Sequence, residues 1–323
     1  MTLSRVRELE LKMGYAPGSL DRLARIFDAG AGHSVIRISS GKSKTRHVVR
    51  PTVALDGMLK SLRRVLEAEL GFEPMDCVHG CVRGRSILTN ASMHLARPVV
   101  LRVDLKDFFD SISTSDISDA FKVLDVDDET AELLARCTTI HGRMRAGLST
   151  SPLLANLVFN STDRDLQEIA ARLDLTYTRY VDDLVFSGET ITDDTLATIA
   201  EQIVARGWTI NARKTRFMRS GGAQYVTGLS VDVESGPHLP RRMKRFLRLE
   251  VHYATLHGFG SGSTGKRRLI GLINYAKCVE PWLGAELHDS IREAGLLVGR
   301  SESEDAFEDA EDFWDELGLR DEY

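Results

Sequence analysis

Two adjacent aspartates interrupt a run of β-prone residues, and no other feature constrains the fold of this chain so strongly. The run TYTRYVDDLVFSG spans residues 176 to 188, with Asp182 and Asp183 near its centre. Aromatic and β-branched residues on both sides of a short acidic break are typical of two strands joined by a tight turn. The sequence therefore predicts a hairpin with both carboxylates at its tip.

A second predicted strand carries another aspartate. In residues 99 to 105 the apolar row of Val99, Leu101 and Val103 alternates with a row that ends in Asp104. Because side chains alternate across a strand, Asp104 is expected to project away from the core-facing row. Two-metal phosphoryl and nucleotidyl transfer needs carboxylates from more than one element, and Mg²⁺ prefers such oxygen ligands. An Asp-Asp pair alone is weak support, because most such pairs only mark a turn.

Helical periodicity predicts three long helices in the first two thirds of the chain. The leucines of residues 55 to 70 recur at spacings of three and four, with basic residues between them. Ser151 is predicted to cap a long helix that begins with Pro152, and Thr192 to open another that Gly207 ends. The predicted elements therefore alternate between helix and strand.

The last third is predicted to be mostly helical and basic. A strand is expected over residues 224 to 231, and the helical part that follows is interrupted by a glycine- and serine-rich stretch at residues 258 to 265.

The net charge of −5 hides an asymmetry along the chain. Residues 301 to 323 hold eleven acidic residues and one arginine, so the first 300 residues carry 41 basic against 36 acidic side chains. The basic residues cluster at residues 42 to 50, 83 to 85, 241 to 248 and 266 to 268. Such clusters are typical of phosphate contacts, although each is also compatible with a solvated helix or strand face.

Composition also excludes several classes of protein. No apolar run approaches the roughly 20 residues of a membrane span, and the first residues lack a signal-peptide core, so a cytoplasmic protein with no membrane partner is expected. The four cysteines are too few for a disulfide scaffold, and the pattern Cys77-x-His79-x-Cys81 lacks a second pair of zinc ligands.

Five sequence blocks resemble reverse transcriptases, in that family's order. They are RHVVRP at residues 46 to 51, DLKDFF at 104 to 109, GLSTSP with ANL at 147 to 157, YVDD at 180 to 183, and Asn211 with Lys214 and Thr215. The second resembles the first palm motif and the fourth the YxDD box. Three shorter blocks resemble bacterial retron reverse transcriptases: His79-Gly80 with GRSI at 84 to 87, NASMH at 90 to 94, and VTG at 226 to 228.

The resemblance implies a fold and its subdivision. It implies an α+β right-hand polymerase with fingers, an antiparallel-sheet palm and a helical thumb. The fingers and N-terminal segment would span residues 1 to 98, the palm 99 to 232, the thumb 233 to 300 and an acidic tail 301 to 323. The length of the chain is that of a retron enzyme without ribonuclease H, maturase or endonuclease domains.

The resemblance also implies an activity. Retron enzymes use a structured noncoding RNA as primer and template, start from a guanosine 2′-hydroxyl, and make a branched RNA–DNA product that acts with an effector in phage defence. The expected substrates are dNTPs, and the expected cofactors are two Mg²⁺ ions, or Mn²⁺ in their place.

Site residues carry over position by position from the resemblance. Asp104 and Asp182 would bind both metal ions, with Asp183 as the third catalytic carboxylate and the Leu105 carbonyl as a further metal ligand. Phe109 falls where the family places a steric gate against the ribose 2′-hydroxyl, although an ordinary core phenylalanine is the alternative.

Basic and polar side chains would contact the substrates. Lys44 and Arg46 are candidates for gripping the triphosphate, and Lys214 for protonating or neutralising the departing pyrophosphate. Arg85, Asn90 and His94 are candidates for RNA contacts. For Asn90 and His94 an alternative role is to hold the fingers together.

One departure from the family keeps two other hypotheses open. The family usually has Pro-Gln before the glycine that corresponds to Gly147, and here Arg145 and Ala146 stand there. One alternative is another defence reverse transcriptase with untemplated or protein-primed synthesis. The second is a catalytically idle RNA-binding scaffold, against which the complete set of aspartates argues.

The acidic tail has its own predicted structure. Its apolar residues from Ala306 to Leu317 fall at helical spacing, so it is predicted to form an amphipathic helix. Such a helix could dock on the thumb of the same chain, a sister subunit or an effector protein, or remain a solvated terminus.

Overall fold

The structure, a computed structural model, describes residues 6 to 40, 44 to 259 and 265 to 297, without the side chains of residues 39, 40 and 44 to 46. The predicted tail helix of residues 301 to 323 therefore lies outside the described residues. The same holds for the side chains of Lys44 and Arg46, and for residues 260 to 264 of the glycine- and serine-rich stretch.

Twelve helices form within these described ranges. They are α1 (Val6–Met13), α2 (Ser19–Asp28), α3 (Val53–Glu69), α4 (Ile87–Ser92), α5 (Phe108–Ser111), α6 (Thr114–Val123), α7 (Asp128–Cys137), α8 (Ser151–Arg172), α9 (Asp193–Ala205), α10 (Arg241–His257), α11 (Lys266–Val279) and α12 (Pro281–Glu293). The three long helices predicted from periodicity correspond to α3, α8 and α9. The predicted helical character of the last third is confirmed by α10 to α12.

Eight strands accompany the helices. They are β1 (His33–Ser40), β2 (Lys44–Pro51), β3 (Val99–Asp104), β4 (Thr176–Tyr180), β5 (Asp183–Gly188), β6 (Arg216–Arg219), β7 (Tyr225–Val226) and β8 (Leu229–Ser230). The strands β1 and β2 form a two-stranded sheet, β4, β5, β3 and β6 form a four-stranded sheet in that order, and β7 and β8 form a third sheet. The predicted α+β class is confirmed.

The four-stranded sheet contains the predicted hairpin and the predicted strand that carries Asp104. The strands β4 and β5 form the predicted antiparallel hairpin, with Tyr180 opposite Asp183 in the last pair. The strand β3 lies next to β5, inside the sheet, and five of its six residues are buried. Asp104 is among them, so the face of β3 that was predicted to point away from the core-facing row is also covered.

Two sequence predictions need correction. Ser151 does not cap α8: it is the first helical residue, Thr150 is the N-cap, and the Ser151 hydroxyl donates to the Arg145 carbonyl at 2.7 Å. The single strand predicted over residues 224 to 231 is a hairpin of β7 and β8. Its turn residues Thr227 and Gly228 have φ of 48° and 80°, the conformation that tight two-residue hairpins require.

The chain divides into two compact units. The first contains the described residues up to Ile38, Thr45–Ser86 and Leu101–Phe217. The second contains the described residues of Ser39–Lys44, Ile87–Val100 and the described residues from Met218 onward. In the first unit α2 and α6 pack on α7, and α8 packs on β4 and α9. In the second unit α4 packs on β7 and β8, and α10 to α12 pack on one another. Of the helices described, none is both long enough and apolar enough to cross a bilayer.

The carboxylate of Glu10 generates a prediction about stability. Glu10 is buried, and its two oxygens accept hydrogen bonds from Gly18 N and Leu20 N, each at 2.9 Å. These amides lie at the start of α2, where backbone N–H groups have no partner within the helix. Replacing Glu10 with Ala leaves both amides unpaired, and we expect the free energy of unfolding to fall by about 2–3 kcal/mol.

Urea denaturation of the purified chain measures this change. The matched control is Glu8→Ala, which removes an exposed carboxylate of the same helix that pairs with Lys12, and it should change stability little. Equal effects of the two substitutions would contradict the capping role of Glu10.

Candidate active site

The turn between β4 and β5 is built from two residues. Because Tyr180 pairs with Asp183, Val181 and Asp182 form the turn, and Asp183 is the first residue of β5. Only Asp182 therefore lies at the tip that was predicted for both aspartates. Val181 has φ of 58°, which is a genuine outlier for a β-branched residue. The turn therefore holds a conformation that the surrounding structure must maintain.

Backbone hydrogen bonds bring the end of β3 to this turn. The Leu105 amide donates to the Asp182 carbonyl at 2.9 Å, so Asp104 and Asp182 lie side by side. On the other side of β3, the amide of Asn211 donates to the Asp104 carbonyl at 2.8 Å. Three segments that are distant in sequence thus meet at Asp104.

Two cations and an amide bind the carboxylates. The Lys214 ammonium lies 2.9 Å from Asp104 Oδ2, and Asn211 Nδ2 donates to Asp104 Oδ1 at 3.0 Å. The Arg102 guanidinium lies 2.6 Å from Asp183 Oδ1. The site therefore concentrates three carboxylates and balances them in part with two side-chain cations.

The electrostatics of the site show the strain of this arrangement. Burial raises the pKa of the Asp182 carboxyl, and the charges of Asp104 and Asp183 raise it further. Burial also raises the pKa of Asp183, against the opposing effect of Arg102. The pKa of Arg102 is raised chiefly by the charge of Asp183. An additional cation would relieve the repulsion among the carboxylates.

The donor set fits a hard divalent cation. Carboxylate and carbonyl oxygens are the ligands that Mg²⁺ and Mn²⁺ prefer. As the side chains stand, no three His, Cys, Asp or Glu residues in the described part of the chain are grouped so that they could hold a metal ion. Lys214 and Arg102 occupy oxygens of Asp104 and Asp183, so these carboxylates would exchange a side-chain cation for a metal ion.

Phe109 follows Asp104 by five residues in the sequence. Asp107, with φ of 50°, turns the chain into the short helix α5. Phe108 points into the core, where its ring lies 5.6 Å from that of Phe159, whereas Phe109 is only half-buried. A half-exposed ring close in sequence to Asp104 is compatible with the predicted steric gate.

The segment that departs from the family pattern packs against β2. Ala146 O accepts a hydrogen bond from Val49 N at 2.8 Å. Gly147 has φ of 103°, and a Cβ there would lie 2.0 Å from Val49 O, so only glycine fits. Arg145 forms an ion pair of 2.9 Å with Asp110, the residue after Phe109. Arg145 thus lies beside the helix that carries the predicted gate.

The predicted RNA-contacting residues are placed elsewhere. Asn90 and His94 belong to the second unit and are fully buried, and no described residue pairs with the Asn90 amide. Their burial favours the alternative that they stabilise the fold. Arg85 lies in the first unit, where it donates to the Val78 carbonyl at 2.6 Å and pairs with Asp76 at 3.1 Å.

Sequence reasoning missed two residues of this region. Arg102 lies two positions before Asp104, and the period-two alternation of a strand could have placed it on the same face. Arg179, which lies directly before Tyr180, is fully buried. A charged residue within the β-prone run was the available signal for it.

Residues 42 to 253 match the family described as reverse transcriptase (RNA-dependent DNA polymerase). Similar curated proteins include the retron Mx65 reverse transcriptase of Myxococcus xanthus, 35% identical over 247 residues, with 69% of this chain and 56% of that protein covered. The retron Mx162 reverse transcriptase of the same organism is 31% identical over 240 residues, with coverage of 64% and 50%.

A third relative is the retron Ec86 reverse transcriptase of Escherichia coli, 29% identical over 206 residues, with coverage of 63% and 62%. The chain thus spans between half and somewhat under two thirds of the length of these relatives. Among solved structures, a telomerase from Candida albicans aligns with a TM-score of 0.46 at 11% identity, covering 88% of this chain and 58% of the other. A foamy viral protease-reverse transcriptase aligns with a TM-score of 0.46 at 14% identity, covering 90% and 44%.

The raised pKa of Asp182 generates a prediction about stability and pH. A carboxyl whose pKa is higher in the folded than in the unfolded chain destabilises the fold when ionised. That destabilisation is fully present above the pKa that the carboxyl has in the folded chain. It disappears as the pH falls below the pKa that the carboxyl has in the unfolded chain. In the presence of EDTA, Asp182→Asn should therefore melt at a higher temperature than the unchanged chain at pH 7.5, and this difference should fade toward about pH 4.

Thermal unfolding across this pH range measures the difference. The control is Asp119→Asn, which replaces an exposed aspartate and should show a much smaller effect. A less stable Asp182→Asn chain at pH 7.5 would contradict the proposed repulsion.

Proposed function

The chain belongs to the reverse transcriptase family, whose match covers residues 42 to 253, and we propose that it is a retron-type enzyme that synthesises DNA on an RNA template. The observation that carries the proposal is the juxtaposition of Asp104 and Asp182 through the Leu105–Asp182 hydrogen bond. It brings Asp104, at the end of β3, beside Asp182, which lies in the β4–β5 turn and precedes Asp183, and nucleotidyl transfer requires carboxylates from more than one element.

Members of this family generally use divalent metal ions, and we propose two Mg²⁺ ions here. Asp104 and Asp182 would hold both, with Asp183 and the Leu105 carbonyl as further ligands. When bound, the ions would activate the attacking hydroxyl and neutralise charge on the leaving pyrophosphate.

Binding of Mg²⁺ to the folded chain would stabilise it. Mg²⁺ added in place of EDTA should therefore raise the melting temperature of the unchanged chain but not that of Asp182→Asn.

The protein's own residues would position the substrates. Lys214, whose ammonium lies 2.9 Å from Asp104 Oδ2, would neutralise or protonate the departing pyrophosphate. The Phe109 ring would exclude the ribose 2′-hydroxyl. Lys44 and Arg46 remain candidates for holding the triphosphate.

The similarity to retron reverse transcriptases supports proposals about the template, the product and the cellular role. We propose that the template and primer are parts of one structured noncoding RNA, that the product remains joined to it, and that the system serves defence against phage in the cytoplasm. We also propose the division into fingers, palm and thumb with the boundaries given above, and an effector protein or sister subunit as partner of the acidic tail. The similarity to the Mx65, Mx162 and Ec86 retron enzymes supports the type of enzyme.

A second candidate function is polymerisation without a conventional template. Arg145 and Ala146 replace the family's Pro-Gln, and Arg145 is paired with Asp110 beside Phe109. A changed side chain at this place would alter the surroundings of the incoming nucleotide. The two functions differ in whether the sequence of the product depends on an added RNA.

The first test is synthesis itself. The chain is purified from cells that express its native locus, and the nucleic acid that co-purifies with it is sequenced. The protein is then assayed on poly(rA) primed with oligo(dT). We expect a discrete DNA joined to a structured RNA, and dTTP incorporation that depends on the template. The variant Asp182→Asn/Asp183→Asn should lose at least about 1000-fold in rate, because several kcal/mol of charge stabilisation are removed.

Other outcomes separate the alternatives. Homopolymeric or irregular DNA would favour untemplated synthesis. Full biological activity of the doubly substituted variant would instead support an RNA-binding scaffold without catalysis.

Phe109 provides the test of sugar selection. Phe109→Ala opens space where a 2′-hydroxyl would clash, so the preference for dTTP over UTP should fall by about 10–100-fold. Relative kcat/KM for the two nucleotides measures the change, and Phe109→Tyr, which keeps the bulk of the ring, is the control. Unchanged selectivity in Phe109→Ala would assign this ring to the core.

A further inference from the structure

An ion pair without solvent exposure lies beneath the β4–β5 turn. Arg179 of β4 and Asp163 of α8 are both fully buried, and the guanidinium donates to both carboxylate oxygens at 2.6 to 3.1 Å. The ring of Phe159 lies 4.7 Å from the guanidinium carbon. A buried ion pair is often no more stabilising than apolar side chains of the same volume. The presence of this pair therefore calls for an explanation beyond stability.

The remaining donor of the guanidinium reaches the turn. Arg179 Nη1 donates to the Val181 carbonyl at 3.1 Å and to Asn156 Oδ1 at 3.0 Å. The Val181 carbonyl belongs to the peptide group that links Val181 to Asp182. The hydrogen bond thus fixes the orientation of the peptide directly before Asp182, at a residue whose φ of 58° is sparsely populated.

A second backbone segment confines the same turn. Arg179 N donates to Cys77 O at 2.7 Å, and His79 N donates to Arg179 O at 2.8 Å. Asn156 Nδ2 donates to Gly80 O at 3.1 Å and so connects this segment to the guanidinium. A Cβ on Gly80 would lie 2.4 Å from Val181 N, which no real Cβ contact tolerates. The turn is therefore held by the guanidinium and by a glycine backbone.

We propose that Arg179 is a positioning residue for Asp182. Oriented by Asp163 and Asn156, its guanidinium holds the Val181–Asp182 peptide in the conformation that places Asp182 beside Asp104. The role rests on the proposed function in so far as Asp182 is catalytic. Lysine cannot replace arginine in it, because one ammonium group does not offer the planar fork that binds a carboxylate and a carbonyl together.

The test compares two substitutions on the same strand. Arg179→Lys keeps the charge but loses the fork. The matched control is Tyr177→Phe, because the Tyr177 hydroxyl donates to the same Asp163 carboxylate at 2.8 Å rather than to the turn. Both variants remove buried hydrogen bonds, so thermal unfolding should show that both are destabilised.

Kinetics separate positioning from stability. On poly(rA) primed with oligo(dT), at a temperature where both variants are folded, Arg179→Lys should lose about 10–100-fold in kcat with little change in the KM for dTTP. Tyr177→Phe should keep the kcat of the unchanged chain. Equal losses in the two variants, or an unchanged kcat in Arg179→Lys, would overturn the proposal.

Metal binding gives a readout that does not depend on DNA synthesis. The electron paramagnetic resonance signal of free Mn²⁺ reports binding to the protein freed of nucleic acid, with Asp182→Asn as the blank. Arg179→Lys should weaken the Asp182-dependent binding by about tenfold, and Tyr177→Phe should not.

This readout keeps the two proposals apart. If the unchanged chain binds Mn²⁺ through Asp182 but synthesises no DNA, the proposed function fails while the positioning role is still tested by the Mn²⁺ titration. If it shows neither synthesis nor such binding, both proposals fall.

A third variant covers the case in which Arg179→Lys does not fold. Asn156→Ala keeps the ion pair of Arg179 and Asp163. It removes the hydrogen bonds that the Asn156 side chain makes with Gly80 O and with Arg179 Nη1. We expect it to lose about fivefold in kcat. A folded Asn156→Ala with unchanged kcat would overturn the positioning role, and failure of both variants to fold would assign the network to stability alone.

Discussion

The candidate active site depends on one backbone hydrogen bond, from the Leu105 amide to the Asp182 carbonyl. It joins the end of β3 to the β4–β5 turn and so brings the residues Asp104 and Asp182 side by side. Burial raises the pKa of Asp182, and the nearby charges of Asp104 and Asp183 raise it further, because like charges at close range repel. The positive charges of Arg102 and Lys214 offset part of the repulsion among the carboxylates. The closeness of Asp104 and Asp182 follows from this single contact between the end of β3 and the turn.

Much of the fold could be predicted because its signals are local. Leucine spacing located α3, the β-prone residues around the two aspartates located the hairpin, and the alternation of residues 99 to 105 located β3. The three aspartates were found because their motifs are contiguous in sequence. The sequence predictions that were wrong concerned features that depend on backbone conformation or on burial. The positive φ of Thr227 splits one predicted strand into a hairpin, and the covered second face of β3 could not be read from alternation alone.

The support beneath the turn was not predictable from the sequence for a different reason. Arg179 and Asp163 each look like an ordinary surface residue until β4 packs on α8 and both lose all contact with solvent. Asn156 and Gly80 acquire their roles only through the same packing, because each contacts a segment that lies far away in the chain. Long-range partners of this kind leave no periodic signal. The fully buried Asn90 and His94 are comparable cases, since their motif suggested contacts that their environment does not favour.

The sequence separations within the site bear on the order of folding. The pair of Arg179 and Asp163 joins residues 16 positions apart, whereas the pairs of Arg102 with Asp183 and of Lys214 with Asp104 span 81 and 110 positions. Contacts that close short loops form at a lower entropic cost and therefore earlier. The helix α8 and the hairpin can thus assemble as one local nucleus while the polypeptide is still being synthesised. The carboxylates would then be brought together in one of the last steps of folding, on a turn whose conformation is already set.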